Sequence, residues 1–444
     1  MSAASSVSGR RSPTPSWIDG VPQGWHLQPA KAVFAERRER SCPDDVHLTP
    51  SQAYGVLPQA EYIERTGNRV VLNLTGGEQM RHVEPGDFVS HLRSFQGGLE
   101  GSQIRGKVSA AYTVLTPRHQ VVSDYYKFLF KSAMYVQALQ TTTDQLRDGQ
   151  SIRYSQFALL PLPVPPLEEQ RAIAEFLDRE TAEIDAFIRD QEELIRLLSE
   201  RQAATISKAV TKGLDSGIGM KPSGVPWVDQ VPDHWSVVQI RRTGVKCSSG
   251  TSVNGYSFPA STDEIGVLKT GSVSKGFFDP TENKRIVDEE VEKATTPVIA
   301  GTLIVNRANT PDLVGRAGYV RRPEPNLYLS DKLWMLRFSE ADPLFMYYWT
   351  CSAYYRDQIR MKRVGASTSM QNVSLIDYLA LYVALPPFDE QERIAHYLDD
   401  EIRLVDATIA DTVDAIELMR ERRTALISAA VTGKIDVRER VRGA

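Results

Sequence analysis

The chain has 444 residues, a net charge of −4, 41% hydrophobic and 24% charged residues, enough for two or three domains of average globular composition. That composition excludes collagen-like, low-complexity and disulfide-scaffold classes, and no run reaches the roughly 18 uncharged apolar residues of a membrane span. Three scattered cysteines, Cys42, Cys247 and Cys351, form no CxxC or Cys/His pattern and predict neither a metal site nor a disulfide in a cytoplasmic protein.

In chain order, residues 1–15 are Ser-, Arg- and Pro-rich without an apolar run, which predicts a disordered tail and not a secretory signal. A first head over 16–164 opens with SWIDGVPQGW and holds strand-like runs at Arg69 to Leu74, Asp87 to Leu92 and Ser109 to Leu115, then an aromatic-rich helical run near Tyr125 to Tyr135. Residues 165–215 predict one long helix and 216–225 a linker. A second head over 226–385 opens with PWVDQVPDHW, with strands at Gly301 to Arg307 and Leu333 to Phe338 and a helical run at Leu344 to Ile359. A second long helix over 386–436 precedes a tail at 437–444.

The two helical segments are copies. Aligned at an offset of 221 without a gap, 165–215 and 386–436 are identical at 24 of 51 positions, beyond what chance gives. The head openings match at an offset of 210, whereas the remainder of the heads diverges. Each copy starts with two prolines followed by acids, PPLEEQ and PPFDEQ, which suits the first turn and the positive end of the helix dipole. Neither Leu167 to Val210 nor Phe388 to Val431 contains Pro or Gly.

Apolar residues recur at spacings of three, four and seven: Ile173, Leu177, Ile184, Ile188, Ile195 and Leu198, then Ile394, Leu398, Ile402, Val405, Ile409, Ile416, Met419 and Leu426. Such a seam cannot be hidden by one helix alone, so the two copies are expected to pair as an intramolecular antiparallel coiled coil. Polar Gln191 and Gln202, with counterparts Thr412 and Arg423, sit at seam positions that can set register. The alternative is two independent surface helices. The expected fold is α+β: two globular mixed α/β heads separated by two long helices, with pseudo-twofold symmetry.

Charge is partitioned. Residues 165–215 carry −5 and 386–436 carry −6, which leaves about +7 on the rest of the chain. The basic residues of the heads lie among polar, glycine-containing stretches that can supply Lys and Arg to phosphates and Arg, Asn and Gln to base edges. In the first head these DNA-binding candidates are Arg81, His91, Arg93, Arg105, Lys107, Arg147, Arg153 and Tyr154. In the second they are Lys246, Ser249, Lys269, Lys275, Arg307, Asn309, Lys362, Arg363, Ser367, Thr368, Gln371 and Asn372.

Catalytic motifs are absent from their required contexts. LPPF at Leu385 to Phe388 approximates the Asn/Asp-Pro-Pro-aromatic motif of amino-methyltransferases, but Leu385, like Val164, cannot accept a hydrogen bond from a target amine. Gly106-Lys107 and Gly433-Lys434 lack the following Ser or Thr of a phosphate-binding loop. Asp279, Glu282 and Lys284 are the nearest approach to a nuclease cluster and read as a turn. The chain is therefore expected to be non-catalytic, with no metal and no cofactor of its own.

The twice-repeated order of VPQGW or VPDHW followed by PPLEEQ or PPFDEQ resembles the specificity subunits of type I restriction-modification systems, over nearly all of the chain after about residue 15. The resemblance implies that each head is a target-recognition domain reading one half of a split DNA site. It implies that the helices are spacers holding two modification subunits, with further restriction and motor subunits in the complex. S-adenosylmethionine, ATP and Mg would then be bound by those partners. It further implies DNA contacts from loops such as Arg147 to Tyr154 and Gly365 to Asn372, and partner contacts at Glu169, Gln170, Glu390 and Gln391. A non-catalytic coiled-coil interaction scaffold, or an unrecognised hydrolase in one head, are the competing readings.

Overall fold

Both long proline- and glycine-free stretches fold as single helices, Leu167–Lys212 (46 residues) and Phe388–Val431 (44 residues), each close to 70 Å long at about 1.5 Å per residue. The computed structural model describes residues 17–18, 20–68, 80–90, 98–118, 121–141, 153–364 and 370–437. The chain divides into a first unit, Met1–Gln191 with Asp414–Ala444, and a second, Glu192–Val413. Each unit therefore holds one head, the start of one long helix and the end of the other. Among the described residues no helix is long and apolar enough to cross a membrane.

The two heads share one four-stranded sheet that their sequences conceal, and the second adds a further sheet in the order Asn283–Arg285, Gly266–Leu268, Glu324–Tyr328, Pro297–Val298. The first has an antiparallel four-stranded sheet in the order Phe34–Glu36, Val114–Pro117, Phe88–Ser90, Leu99–Gly101. The second repeats it as Lys246–Ser249, Leu333–Arg337, Leu303–Asn306, Ala317–Tyr319. In both, a short strand after the opening motif pairs with the strand just before the helix-start prolines, His26–Pro29 with Pro161–Val164 and Ser236–Gln239 with Tyr382–Leu385. Two helices follow the sheet in each head, Ser123–Lys131 and Ala133–Thr141 in one, Pro343–Thr350 and Ala353–Lys362 in the other.

Each aromatic-rich helical run is divided into two helices. Ser352 caps the following helix by accepting from the Tyr355 N–H at 3.3 Å, and Ser132 accepts from Tyr135 at 3.4 Å, so a hydroxyl turns the chain at the same place in both copies. The run Ser109 to Leu115 is likewise not one strand: a turn closed by Tyr112 N–H to Ser109 O separates Gly106–Val108 from Val114–Pro117. The expected linker at 216–225 is mostly strand, since Met220–Val225 pairs with Val228–Pro232, with a register shift between Pro222 and Val225 where Gly224 is left-handed. Expected strands at Asp87 to Leu92, Gly301 to Arg307 and Leu333 to Phe338 are Phe88–Ser90, Leu303–Asn306 and Leu333–Arg337. Arg69 to Leu74 and the 1–15 tail lie outside the described residues.

Each head core runs without interruption into the long helices. In the first unit Phe34, Phe88, Tyr126, Phe130 and Phe157 pack edge-on or tilted, and the same cluster takes in Ile173, Phe176 and Leu177 from the start of one helix and Ile427, Ala430 and Val431 from the end of the other. In the second unit Trp235, Trp349, Tyr355 and Tyr378 join Ile394 and Leu398 with Ile206, Ala209 and Val210. A helix start beside a helix end means antiparallel pairing inside each unit. The polar seam residues fix its register: Arg423 donates from Nε to Asp185 Oδ1 at 2.9 Å in the first unit, and Gln202 Nε2 donates to Asp406 at 3.0 Å in the second. These are the same contact at the 221-residue offset.

The repeated motifs build the joint. The indole N–H of Trp25 donates to Glu169 at 2.7 Å, and that of Trp235 to Glu390 at 3.1 Å. Gln170 Oε1 accepts from the Val122 N–H at 2.8 Å while its Nε2 donates to Pro165 O at 2.8 Å. Gln391 makes the matching pair with Asp342 N–H and Pro386 O, both 2.8 Å. The side chains of PPLEEQ and PPFDEQ thus fasten a head to its helix.

At the other helix end, Gly213 and Gly433 both adopt φ of 73°, the left-handed stop that favours glycine. A Cβ on Gly433 would collide with the ring of Pro22, whereas on Gly213 its nearest neighbour is the Trp235 ring at 3.3 Å. Gly433→Ala is expected to cost about 2–4 kcal/mol and Gly213→Ala about 1–2 kcal/mol. Calorimetric melting of the full chain, with each variant lowering only its own unit's transition and in that order, checks the joint.

Candidate nucleic-acid interface

In the second head, six of the sequence candidates come together. The two-residue strand Ala308–Asn309 pairs antiparallel with Gln371–Asn372, and Val364 exchanges both backbone hydrogen bonds with Asn372 at 2.9 Å. This brings Asn309, Gln371 and Asn372 beside Arg307, whose carbonyl accepts from Val373 N–H at 3.0 Å. Arg307 is exposed, with its guanidinium 5.8 Å from the centroid of the Trp334 ring. The ring stiffens a long side chain while leaving its five N–H donors outward. Lys362 is 3.7 Å from Asp377, and Arg363 donates to Pro311 O at 2.6 Å. This region therefore gathers an exposed guanidinium, the carboxamides of Asn309 and Asn372, a half-buried Gln371 whose Oε1 is buried, and two further cations, the kinds of group that read purine edges and hold phosphates.

The other candidates of this head are held by different contacts. Ser249 sits opposite Trp334 and Lys246 opposite Arg337 on the sheet edge. Lys269 pairs with Glu282 at 3.0 Å and Lys275 with Asp279 at 3.2 Å. Lys275 lines a groove against the long helices together with Arg316, Arg321, Tyr348 and Asp399. Burial opposes the charge of Asp399, but hydrogen bonds from Arg321, Tyr348 and Arg403 outweigh it and hold the carboxyl below its usual range. Asp279 closes a turn, accepting from Thr281, and Lys284 donates to Val253 O. Ser367 and Thr368 fall outside the described residues.

In the first head, His91, Arg93 and Arg147 also fall outside the described residues. Arg81 is engaged with Glu36 at 2.7 Å, and Arg105 reaches Asp45 at 3.2 Å and Glu84 at 3.8 Å. Lys107 lies across the ribbon Arg81–Val83/Gly106–Val108 from His82. Tyr154 is half-buried, its hydroxyl donating to Phe34 O at 3.1 Å and its ring lying against Phe157. Arg153 sits at the start of the short helix Tyr154–Phe157, bonded through its backbone to Gln156.

Gln170 and Gln391 also depart from the expectation of a partner surface, because both are fully or almost fully buried (0% and 1% exposed) and spend their amides inside the joint. Glu169 and Glu390 are committed to the two indoles there.

Two features escape sequence reading. Trp334 is a core tryptophan in sequence terms, and only the pairing of its strand with Leu303–Asn306 places it under Arg307. Asp87 is buried and takes Arg37 Nε at 2.6 Å, Arg37 Nη2 at 3.1 Å, Thr116 at 2.5 Å and the Glu84 N–H at 2.8 Å. No local pattern signals partners 29 and 50 residues away. Arginines that hold a buried carboxylate and arginines held outward on a ring are thereby separable. Asp87→Ala is expected to cost about 3 kcal/mol, while Arg307→Ala changes stability by less than about 1 kcal/mol. Chemical denaturation of the two variants measures the contrast.

Known proteins match on both levels. Residues 104–195 fit the family model of the type I restriction modification DNA specificity domain. The chain is 23% identical over 437 residues to the type I restriction enzyme EcoKI specificity subunit of Escherichia coli K12, covering 94% of this chain and 90% of that protein. It is 21% identical over 338 residues to the MjaVIII specificity subunit of Methanocaldococcus jannaschii, 75% of each. Among solved structures, a chain from work on assembly and conformational transition of the type I R-M system superposes with a TM-score of 0.64 at 15% identity, over 94% of this chain and all of that one. The HsdS subunit of Thermoanaerobacter tengcongensis gives 0.52 at 15% identity, over 94% and 98%.

Proposed function

We propose that the chain, which is similar over most of its length to type I restriction-modification specificity subunits, reads a bipartite, asymmetric DNA sequence and recruits the subunits that modify and cleave. The observation that carries this reading is one duplicated joint bearing two heads that share a sheet order and differ in their other residues. Two equal mounts suit two half-sites; unlike residues suit unlike bases. In the second head, Arg307 with Asn309, Gln371 and Asn372 would face base edges, and Lys362 and Arg363 would hold phosphates. The first head would use its own basic ribbon around Lys107.

The partners under this proposal are double-stranded DNA, two modification subunits and the restriction and motor subunits, acting in the cytoplasm. The chain supplies position and recognition. S-adenosylmethionine, ATP and Mg would serve on the partner chains.

Selection from random duplex DNA, with the chain co-expressed with its modification subunit, tests the proposal. A split motif with a fixed gap is expected; absence of enrichment at every salt concentration would return the chain to the interaction-scaffold reading. Arg307→Ala is expected to relax one half of the motif at a cost of about 1–3 kcal/mol. Lys362→Ala should weaken binding evenly across sequences and flatten its salt dependence. Deleting one matched heptad from both helices shortens each by about 10 Å, and should narrow the gap by about three base pairs at roughly 3.4 Å each with the bases unchanged. An altered half-site at constant gap would contradict the spacer role.

A further inference from the structure

We propose that Cys42, Asp45 and His82 form a site in the first head for a zinc-type divalent cation. Their ligand atoms, a thiol sulfur, a carboxylate oxygen and an imidazole nitrogen, all lie within 4.8 Å of one another. That mixed N/O/S set is the donor chemistry of zinc, and differs from the all-oxygen sets of calcium and magnesium.

Each ligand is already braced as a metal ligand needs to be. His82 Nδ1 faces Asp45 Oδ2 at 2.6 Å, while its Nε2 is 2.6 Å from Glu84 Oε1. Once Nδ1 gives up the proton that it shares with Asp45, the Nε2 proton donated to Glu84 leaves the Nδ1 lone pair for the cation, and the carboxylate behind the ring fixes its orientation. Asp45 is held in the same way, its Oδ1 by Arg105 at 3.2 Å and its Oδ2 by the Cys42 N–H at 2.7 Å. Cys42 and Asp45 are brought to the same side by one turn, closed by Asp45 N–H to Cys42 O at 3.1 Å. That turn is tied to the histidine's strand by Ser41 N–H to Met80 O at 3.0 Å and His82 N–H to Glu39 O at 3.1 Å.

Charge closes as well. A divalent cation is neutralised by the Cys42 thiolate and the Asp45 carboxylate, and outside them Glu84 and Arg105 cancel. Binding sends to solvent the thiol proton and the proton otherwise shared between Nδ1 and Asp45. Three protein ligands leave a fourth tetrahedral position for water on the side of exposed Cys42. The other two thiols do not compete, since burial pushes Cys247 and Cys351 up to about 11. The bound cation would pin the 42–45 turn onto the strand that carries Arg81.

Cobalt(II) titration of the full chain tests this. One equivalent is expected to produce a visible d–d band and a near-ultraviolet thiolate-to-cobalt band, both abolished by zinc. Cys42→Ser should lose the near-ultraviolet band with its melting temperature in metal-free buffer unchanged, and Glu84→Gln should bind cobalt about 10- to 100-fold more weakly. Zinc should raise the melting temperature of the parent and leave that of Cys42→Ser where it was. No band at one equivalent, or a near-ultraviolet band that persists in Cys42→Ser, would overturn the site.

Discussion

The interaction on which the rest of the structure depends is the clamp at the start of each long helix, where a tryptophan indole meets a glutamate and a neighbouring glutamine grips the head. A long amphipathic helix has no preferred direction of approach to a globular domain unless something fixes its first turn. Trp25 with Glu169 and Trp235 with Glu390 do so through hydrogen bonds that are partly buried in the first head and buried in the second, where such bonds are worth more than at the surface. Gln170 and Gln391 add a second anchor on a different head element. With the first turn fixed, the remaining turns can only lay their apolar stripe against the end of the other helix, and each head core becomes continuous with the pair.

This division of labour explains why the copies differ so unevenly. Residues of the joint and seam answer to one another within the chain, so their spacing is repeated and their chemistry nearly so. The Asp185–Arg423 and Asp406–Gln202 contacts illustrate the tolerance that remains: the carboxylate is kept and its partner changes from a cation to an amide of similar reach. The heads keep the strand order that the joint requires, while their outward residues are free to vary. In the second head the variable surface is organised around a ring-supported arginine and a short ribbon of amide side chains. In the first, several cations are spent on carboxylates such as Glu36, Asp45 and Asp87, so basic composition overstates the charge available to a ligand.

Composition and periodicity alone determined the duplication, the two helices almost to the residue, their antiparallel pairing and the mixed character of the heads, because these follow from short-range rules: proline and glycine punctuation, spacing of three and four, and the length of an unbroken seam. The polar seam positions were legible for the same reason. What only tertiary structure decided is how side chains distant in sequence share one place. Arg307 and Asn372 meet through a two-residue ribbon, Trp334 lies under Arg307 through strand pairing, and Cys42, Asp45 and His82 converge across some forty residues. Glu169, Gln170, Glu390 and Gln391 carry the same lesson in reverse: on a helix-start pattern they look outward, and the fold turns them in. A linear pattern reports which face of an element is apolar, but which polar groups are neutralised, buried or left free depends on what the other elements bring to that face.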